Sequence, residues 1–323
     1  MNEEQILEQL PGLSALVIGD ICLDRWCTYE PALALASAET GIPRVAVTRT
    51  KSTPGAGGTV ANNLASLRVG RVSVLGVVGD DGYGFELRKA LGVRGIHGEL
   101  LQVAEGRQTF TYTKLINART GAEDLPRVDF LYEPAEAANR AVLDAIPQAV
   151  DEHDLILIAD QSETDEGGVI TEAVRVLLAE LTAAYPEKVF LADSRRRAHR
   201  FSSVALKPNR AEAEQACEEL YGGVDFSRLR RETQAPVLFV TDGGDGIRVF
   251  ESERESFVAV RRIEAPVDIC GAGDSFAAGA AAALFLTRDA VAAARFGSLA
   301  ARVTIGKRGT GTANPRELLA ARA

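Results

Sequence analysis

The chain has 323 residues, 46% hydrophobic and 25% charged, with 36 Lys and Arg against 45 Asp and Glu and a net charge of −9. This composition excludes disorder and low complexity. The acidic balance, spread along the chain, argues against a nucleic-acid partner. The start Met1-Asn2-Glu3-Glu4 has neither the basic nor the apolar region of a signal peptide. The longest apolar run, Phe276 to Leu286, falls short of the roughly 18 residues a membrane span needs. A cytoplasmic protein with no membrane partner is expected. Cys22, Cys27, Cys217 and Cys270 form no CxxC pair, and His97, His153 and His199 lie far apart, so reduced thiols are expected and a zinc site is not.

Short β-branched runs alternate with longer stretches of helical period. In chain order the pattern predicts strand Ala15–Ile18, helix Thr59–Leu67, strand Val72–Val78, and helices Phe85–Leu91 and Glu136–Ala145. Strand Leu155–Ala159, helix Val169–Ala184, strand Val189–Ala192, helix Arg210–Leu220 and strand Val237–Val240 follow, then helices Ser275–Phe285 and Arg288–Ile305. Continuous apolar strands between helices imply an α/β fold with a mostly parallel central sheet covered on both faces.

Two segments break that rhythm. Arg44 to Thr50 alternates apolar and polar residues, as does Thr109 to Leu115, followed by Arg127 to Tyr132. Period-2 alternation suggests strands with one solvated or partner-covered face. They are read as a small antiparallel β lid inserted at about residues 28–52 and 108–133 of a single domain covering 1–323. Two short antiparallel segments cannot bury an apolar face alone, so Val45, Val47, Phe110, Tyr112, Phe130 and Tyr132 point to a homodimer through the lid.

Acidic residues close the strands: Asp20, Asp80 with Asp81, Asp160, Asp193 and Asp242. Ligands of open α/β sheets bind beyond the strands' carboxyl ends, although a single Asp there also serves as a helix cap or turn residue. The strongest chemical motif is Asp268-Ile269-Cys270-Gly271-Ala272-Gly273-Asp274, opening an alanine-rich helix. Small residues at 271 to 273 let backbone N–H groups converge at a helix N-terminus, an arrangement that binds anions. Asp274 at its end suits a general base that takes a proton from an attacking hydroxyl. The alternative is a Gly-rich turn with an Asp cap. Gly273-Asp274-Ser275 also spells the start of a serine-hydrolase block, but only His199 is near in sequence. No Walker A or Rossmann glycine pattern is present.

Asp268 to Asp274 resembles the D-T-x-G-A-G-D signature of the PfkB/ribokinase family of carbohydrate kinases, and further motifs agree in order. Asp20-x-x-x-Asp24 resembles the first strand and its sugar-binding aspartate. Pro54-Gly55-Ala56-Gly57-Gly58-Thr59-Val60-Ala61-Asn62 resembles the Gly-Gly loop. Val78-Gly79-Asp80-Asp81-x-x-Gly84 resembles V-G-D-D-x-x-G, Asn209-x-x-Glu212 after Lys207 resembles N-x-x-E, and Thr241-x-Gly243-x-x-Gly246 resembles the nucleotide-binding turn. Within the family, the lid around Lys114 and Arg127 and the ending Ala301 to Leu318 resemble the heptose-phosphate kinases of ADP-heptose synthesis. The expectation there is a kinase unit without the fused nucleotidyltransferase.

The resemblance implies a ribokinase-like fold and ATP-dependent phosphorylation of a sugar or sugar phosphate, with heptose 7-phosphate a candidate. It assigns Asp274 and the amides of Gly271, Ala272 and Gly273 to catalysis. Asp24, Gly55, Gly57, Gly58, Asn62 and Lys114 would hold the sugar. Lys207, Asn209, Thr241, Gly243, Gly246 and Asp268 would line the nucleotide site. Glu212 and Asn209 would act on Mg2+ through water, and a monovalent cation such as K+ would lie near Asp268.

Three departures stand out. Ile269 replaces the signature Thr. The D-Y-x-K-G segment of the heptose branch is here Asp160 to Gly168, without its Lys. The Gly loop has two registers, one making Thr59 the sugar contact and the other Asn62. These departures keep open a non-catalytic sugar or nucleotide sensor on the same fold. Arg195, Arg196 and Arg197 either clamp a phosphate on the substrate or form a solvated turn.

Overall fold

The computed structural model describes residues 1–131, 135–163, 168–252 and 254–322. The strands in chain order are β1 (Ser14–Gly19), β2 (Ile21–Tyr29), β3 (Val47–Ala56), β4 (Arg71–Leu75), β5 (Val77–Gly79), β6 (Gln102–Ala104), β7 (Thr111–Asn117), β8 (Val128–Phe130), β9 (Leu155–Asp160), β10 (Val189–Ser194), β11 (Ala205–Leu206), β12 (Leu238–Thr241), β13 (Ile247–Phe250) and β14 (Glu255–Val258). The helices are α1 (Glu3–Gln9), α2 (Gly57–Ser66), α3 (Gly82–Gly92), α4 (Glu136–Asp151), α5 (Glu172–Ala184), α6 (Arg210–Tyr221), α7 (Phe226–Glu232), α8 (Ala272–Thr287), α9 (Ala290–Thr304) and α10 (Pro315–Ala321).

Eight strands form the central sheet in the order β14-β13-β12-β11-β10-β9-β1-β4. Pairing is parallel from β4 to β12 and antiparallel at β12-β13-β14. Alternate residues of one strand enter opposite cores: Ala15 and Val17 of β1 pack toward one face, Leu16 and Ile18 toward the other. Burial on both faces is why these strands read as unbroken apolar runs.

The helix α8 has no polar face. Phe276 to Ala283 are all buried, and a Cβ on Gly279 would come within 3.1 Å of the Gly297 backbone of α9. Small residues therefore bring α8 and α9 into close contact and hold the start of α8, where Asp274 lies, against the sheet. Among the described residues, no helix is long and apolar enough to cross a membrane.

Several elements differ from their predicted bounds. The run Val72–Val78 breaks at Gly76, where a Cβ would lie 2.5 Å from the Gly19 carbonyl oxygen, so the chain steps off the sheet edge there. The helix α4 continues past Ala145 through Pro147, because Val142, Ile146, Ala149 and Val150 bury one face and offset the lost hydrogen bond. The helix α5 starts at Glu172, capped by Thr171.

The smaller sheet has the order β3-β2-β7-β8. Its outer pairs are antiparallel and its central pair, β2 with β7, is parallel. It begins at Ile21 and runs through Ala56, so it takes in more than the 28–52 segment, and Pro54 and Gly55 lie in a strand. Tyr132 falls outside the described residues. All four cysteines are free thiols.

Candidate active site

The strand-end aspartates divide by role. Asp20 accepts the amides of Gln161 and Ser162 at 2.8 Å and of Val169 at 2.9 Å, bracing the loop after β9. Asp81 caps α3 through the Gly84 amide at 2.7 Å and binds the Thr109 hydroxyl at 2.6 Å. Asp160 is fully buried and pairs with buried Arg197 at 2.6 Å. Asp242 pairs with Arg210 at 3.1 Å, and Asp80 is exposed. These are structural duties. Only Asp193, 3.1 Å from the Lys207 ammonium, belongs to the charge cluster around Asp274.

A cavity of about 140 Å³ lies between the smaller sheet and the carboxyl ends of the central strands. Asp24 and Trp26 reach it from β2, and Tyr112 and Lys114 from β7. Because these residues are two apart on paired strands, they share one sheet face. Gln161, Glu163 and Arg195 come from the central strand ends, and Gly271 and Asp274 from the start of α8. A Cβ at Gly55 would lie 2.4 Å from the Asp24 carboxylate, so glycine there leaves room for the acid.

The turn into α8 is held at three points. Gly271 takes φ +81°, a left-handed conformation that favours glycine. Asp268 accepts the Cys270 amide at 2.9 Å and the Gly309 amide at 3.0 Å. The Ser275 hydroxyl bonds Asn63 at 2.9 Å and receives Thr304 at 2.9 Å. Ser275 is therefore buried and engaged, which removes the serine-hydrolase reading. The Ala272 amide bonds the Ile269 carbonyl at 3.2 Å. The Gly271, Gly273 and Asp274 amides remain for any anion cradle, the last two as first-turn donors without an intrahelical partner. Lys207 faces the same point: a Cβ at Gly273 would lie 3.3 Å from its ammonium nitrogen.

Burial pushes the Asp274 carboxyl up to about 7. Asp193 adds to that shift, while Lys207 and Arg195 oppose it. Burial raises Asp24 to about 6 against the pull of Lys114 and Arg127. Burial alone would lower the Lys207 ammonium, but Asp193, Glu212 and Asp274 reverse the direction and keep it charged. A carboxyl near neutrality, a free amide pair and a fixed cation in one place can accept a proton and steady an anion.

The other predicted residues fall in different places. Asn209 and Glu212 form a reciprocal cap on α6, at 2.9 and 2.8 Å. Asn209 also bridges Thr241, which draws together the two turns expected to receive a nucleotide. Gly243 and Gly246 take φ +51° and +109°, and a Cβ at Gly246 would strike the Phe257 ring at 2.6 Å. Gly57, Gly58 and Asn62 do not line the cavity, whereas Ala56 and Thr59 do. Gly57 serves packing instead, with Ile21 and Ala159 at 2.8 and 2.9 Å from a Cβ there.

Arg197 is neither solvated nor at the cavity; of the Arg run, Arg195 alone lines it. Residues 164–167 of the segment that replaces D-Y-x-K-G lie outside the described residues. Sequence reasoning missed Trp26 and Thr310 as cavity residues. The position of Trp26, two residues after Asp24 on one strand, was a signal for it.

Solved ribokinases share this architecture. That of Thermotoga maritima superposes with a TM-score of 0.71 at 17% identity, covering 96% of this chain and 99% of its own. Arabidopsis thaliana ribokinase complexed with ribose and ATP gives 0.68 at 17% identity, covering 96% and 98%. The fold is thus ribokinase-like. The chain belongs to the pfkB family of carbohydrate kinases, whose sequence profile it matches over residues 14–317. It is 30% identical over 328 residues to the bifunctional protein HldE of Pelobacter propionicus, covering 98% of this chain and 64% of that one. It is 26% identical over 315 residues to the D-beta-D-heptose 7-phosphate kinase of Bordetella bronchiseptica, covering 96% of each. The chain spans less than two thirds of the HldE proteins it matches, 63% of that from Sulfurimonas denitrificans.

Proposed function

We propose that the protein transfers the terminal phosphoryl group of ATP to a hydroxyl of a sugar, with heptose 7-phosphate the first acceptor to test. The carrying observation is Asp274, raised toward neutrality inside the cavity and set beside the Gly273 amide and the Lys207 ammonium. In this reading Asp274 takes the proton from the attacking hydroxyl. The amides of Gly273 and Asp274, with Lys207, steady the negative charge of the transferring group. Asp24 and Thr59 orient the sugar, and Lys114 holds one side of it. The turns at Asn209 and at Thr241 to Gly246 receive the nucleotide.

Among the described residues no three His, Cys, Asp or Glu side chains converge as a ready-made metal site. Mg2+ bound with a nucleotide needs only one or two carboxylates plus phosphates and water. Glu212 and Asp193, which interact through space and flank Lys207, fit that demand. The ion would neutralise phosphate charge. Both Asp268 oxygens accept backbone amides. Each oxygen keeps further acceptor capacity, so the loop at Asp268 is where a monovalent cation such as K+ would lie. The smaller sheet serves as a lid that excludes water as a competing acceptor, and its exposed apolar edge supports a homodimer. A cytoplasmic location goes with ATP as donor.

The test is ATP consumption with a panel of sugars and sugar phosphates, for wild type and Asp274→Asn. Turnover is expected to fall by about 10²–10⁴-fold in the variant. Acceptor binding without turnover in wild type would favour a sensor, and a variant within a few-fold of wild type would remove Asp274 as the base.

A further inference from the structure

A second cavity, of about 410 Å³, adjoins the first and shares Trp26 and Thr310 with it. Strand alternation places Arg49, Lys51 and Thr53 of β3 on one face, the face that carries Trp26 of β2, and Arg308 closes the far wall. Among the described residues, no carboxylate lines this cavity.

The contrast with the first cavity is in charge pairing. There Lys114 lies 3.4 Å from Glu123, Arg127 2.7 Å from Asp129, and Arg195 3.4 Å from Glu163. Among the described residues, Arg49, Lys51 and Arg308 hold no carboxylate. Lys51 has only the Trp26 ring, 6.0 Å away. In a chain of net charge −9, three cations facing one concavity without a counter-ion mark a place for an anion. A second, independent observation agrees. Thr53 lines the same cavity, is 7% exposed, and its hydroxyl has no hydrogen-bond partner. A buried hydroxyl left so is costly unless a ligand supplies the bond.

We propose that Arg49, Lys51 and Arg308 bind a phosphate already carried by the acceptor, so that one ligand spans both cavities. Its attacked hydroxyl lies at Asp274, its ring passes Trp26, and its phosphate sits among the three cations. The acceptor class is therefore a sugar phosphate whose phosphate is remote from the hydroxyl that reacts. This assignment rests on the kinase reading. It moves the phosphate contact away from Arg195, whose charge is already met. Guanidinium groups suit that contact, since their planar donors match phosphate oxygens.

Binding is measured without ATP, by calorimetry and by the fluorescence of Trp26, the chain's only tryptophan. The probes are D-β-D-heptose 7-phosphate, fructose 6-phosphate, their unphosphorylated parents and inorganic phosphate, against wild type, Arg49→Ala, Arg308→Ala and the double variant. At least one sugar phosphate is expected to bind more tightly than its parent. Each single variant should weaken that ligand roughly tenfold or more, leave the parent sugar within about twofold, and keep the wild-type melting temperature. Thr53→Val should weaken it in the same direction.

Unchanged sugar-phosphate affinity in the double variant overturns the proposal. So does a parent sugar that binds as well as its phosphate, or a loss confined to inorganic phosphate. A change of oligomeric state in place of affinity would make this face an interface between copies and also overturns it. The binding contrast without ATP consumption for any acceptor would remove the kinase reading and leave the anion subsite standing. Turnover of a free sugar, indifferent to the Arg variants, would do the reverse.

Discussion

The Asp24 carboxylate occupies the space that any side chain at position 55 would fill, with Oδ1 only 2.4 Å from where a Cβ on Gly55 would sit. Gly55 is in a strand at a φ that other residues adopt, so the constraint is space and not backbone strain. The clashing atoms are side-chain ends that can swing away, Asp24 Oδ1 and the Cys22 thiol. Gly55→Ala is therefore expected to fold, with a stability loss of about 1–3 kcal/mol, and to displace Asp24. KM for the sugar should rise at least tenfold while KM for ATP stays within about twofold. Equal changes in both constants would show that Asp24 does not contact the acceptor.

The pH dependence follows from the sign of the Asp274 shift. A general base works deprotonated, so kcat/KM should rise with pH through a midpoint near 7. Asp193→Asn removes a negative neighbour that helps keep the proton on Asp274 and frees Lys207 to favour the carboxylate, so the midpoint should move to lower pH. A midpoint that stays put, or moves up, would assign that limb to another group.

The same shift makes Asp274 a cost to the fold. Its folded pKa is raised, so ionisation penalises the native state above the ordinary carboxylate range and the penalty vanishes below it. Asp274→Asn should melt higher than wild type at alkaline pH, with the difference closing as pH falls toward that range. A variant that melts lower throughout would mean the carboxylate is stabilised where it stands.

Arg197 and Arg195 should separate cleanly. Arg197 is 2% exposed and pairs with fully buried Asp160. Arg197→Ala strands that carboxylate and should lower unfolding free energy by about 3–5 kcal/mol. Arg195 is half exposed at the cavity rim, and Arg195→Ala should leave the melting temperature unchanged while altering kcat/KM. Denaturant unfolding of both variants decides the matter. Equal stability would contradict the buried pair.

Of the patch from which the sequence pattern led us to expect a homodimer, only Val45 and Val47 stay exposed among the described residues. Phe110 is buried, Tyr112 lines the cavity, and Phe130 packs edge-on against Tyr83 at 5.1 Å. What remains exposed on this side is Leu33, Leu35, Ile42, Val45 and Val47, around a hairpin bridged at Ala36 and Pro43. Sedimentation at micromolar concentration is expected to give a dimer, and Leu35→Glu with Ile42→Glu a monomer. A monomeric wild type would show that this patch has another use.

The layered α/β fold is legible in the chain's local pattern. Apolar strand runs and helical periods are local signals, and burial on both sheet faces makes them unbroken, as in Leu155–Asp160. The cradle motif is legible there too, because Gly271 and Asp274 are three residues apart and share one helix start. Tertiary structure decided which acids matter. Asp20, Asp160 and Asp193 look alike at strand ends, yet partners far along the chain, the Val169 amide, Arg197 and Lys207, set each one's role. It also decided the glycine loop, since whether Thr59 or Asn62 reaches the cavity depends on how α2 docks on Ile21 and Ala159. The Arg49, Lys51 and Arg308 cavity was out of reach of spacing altogether. Arg308 is more than 250 positions from Arg49 and Lys51 and meets them only because a sheet face and a C-terminal turn close on one another.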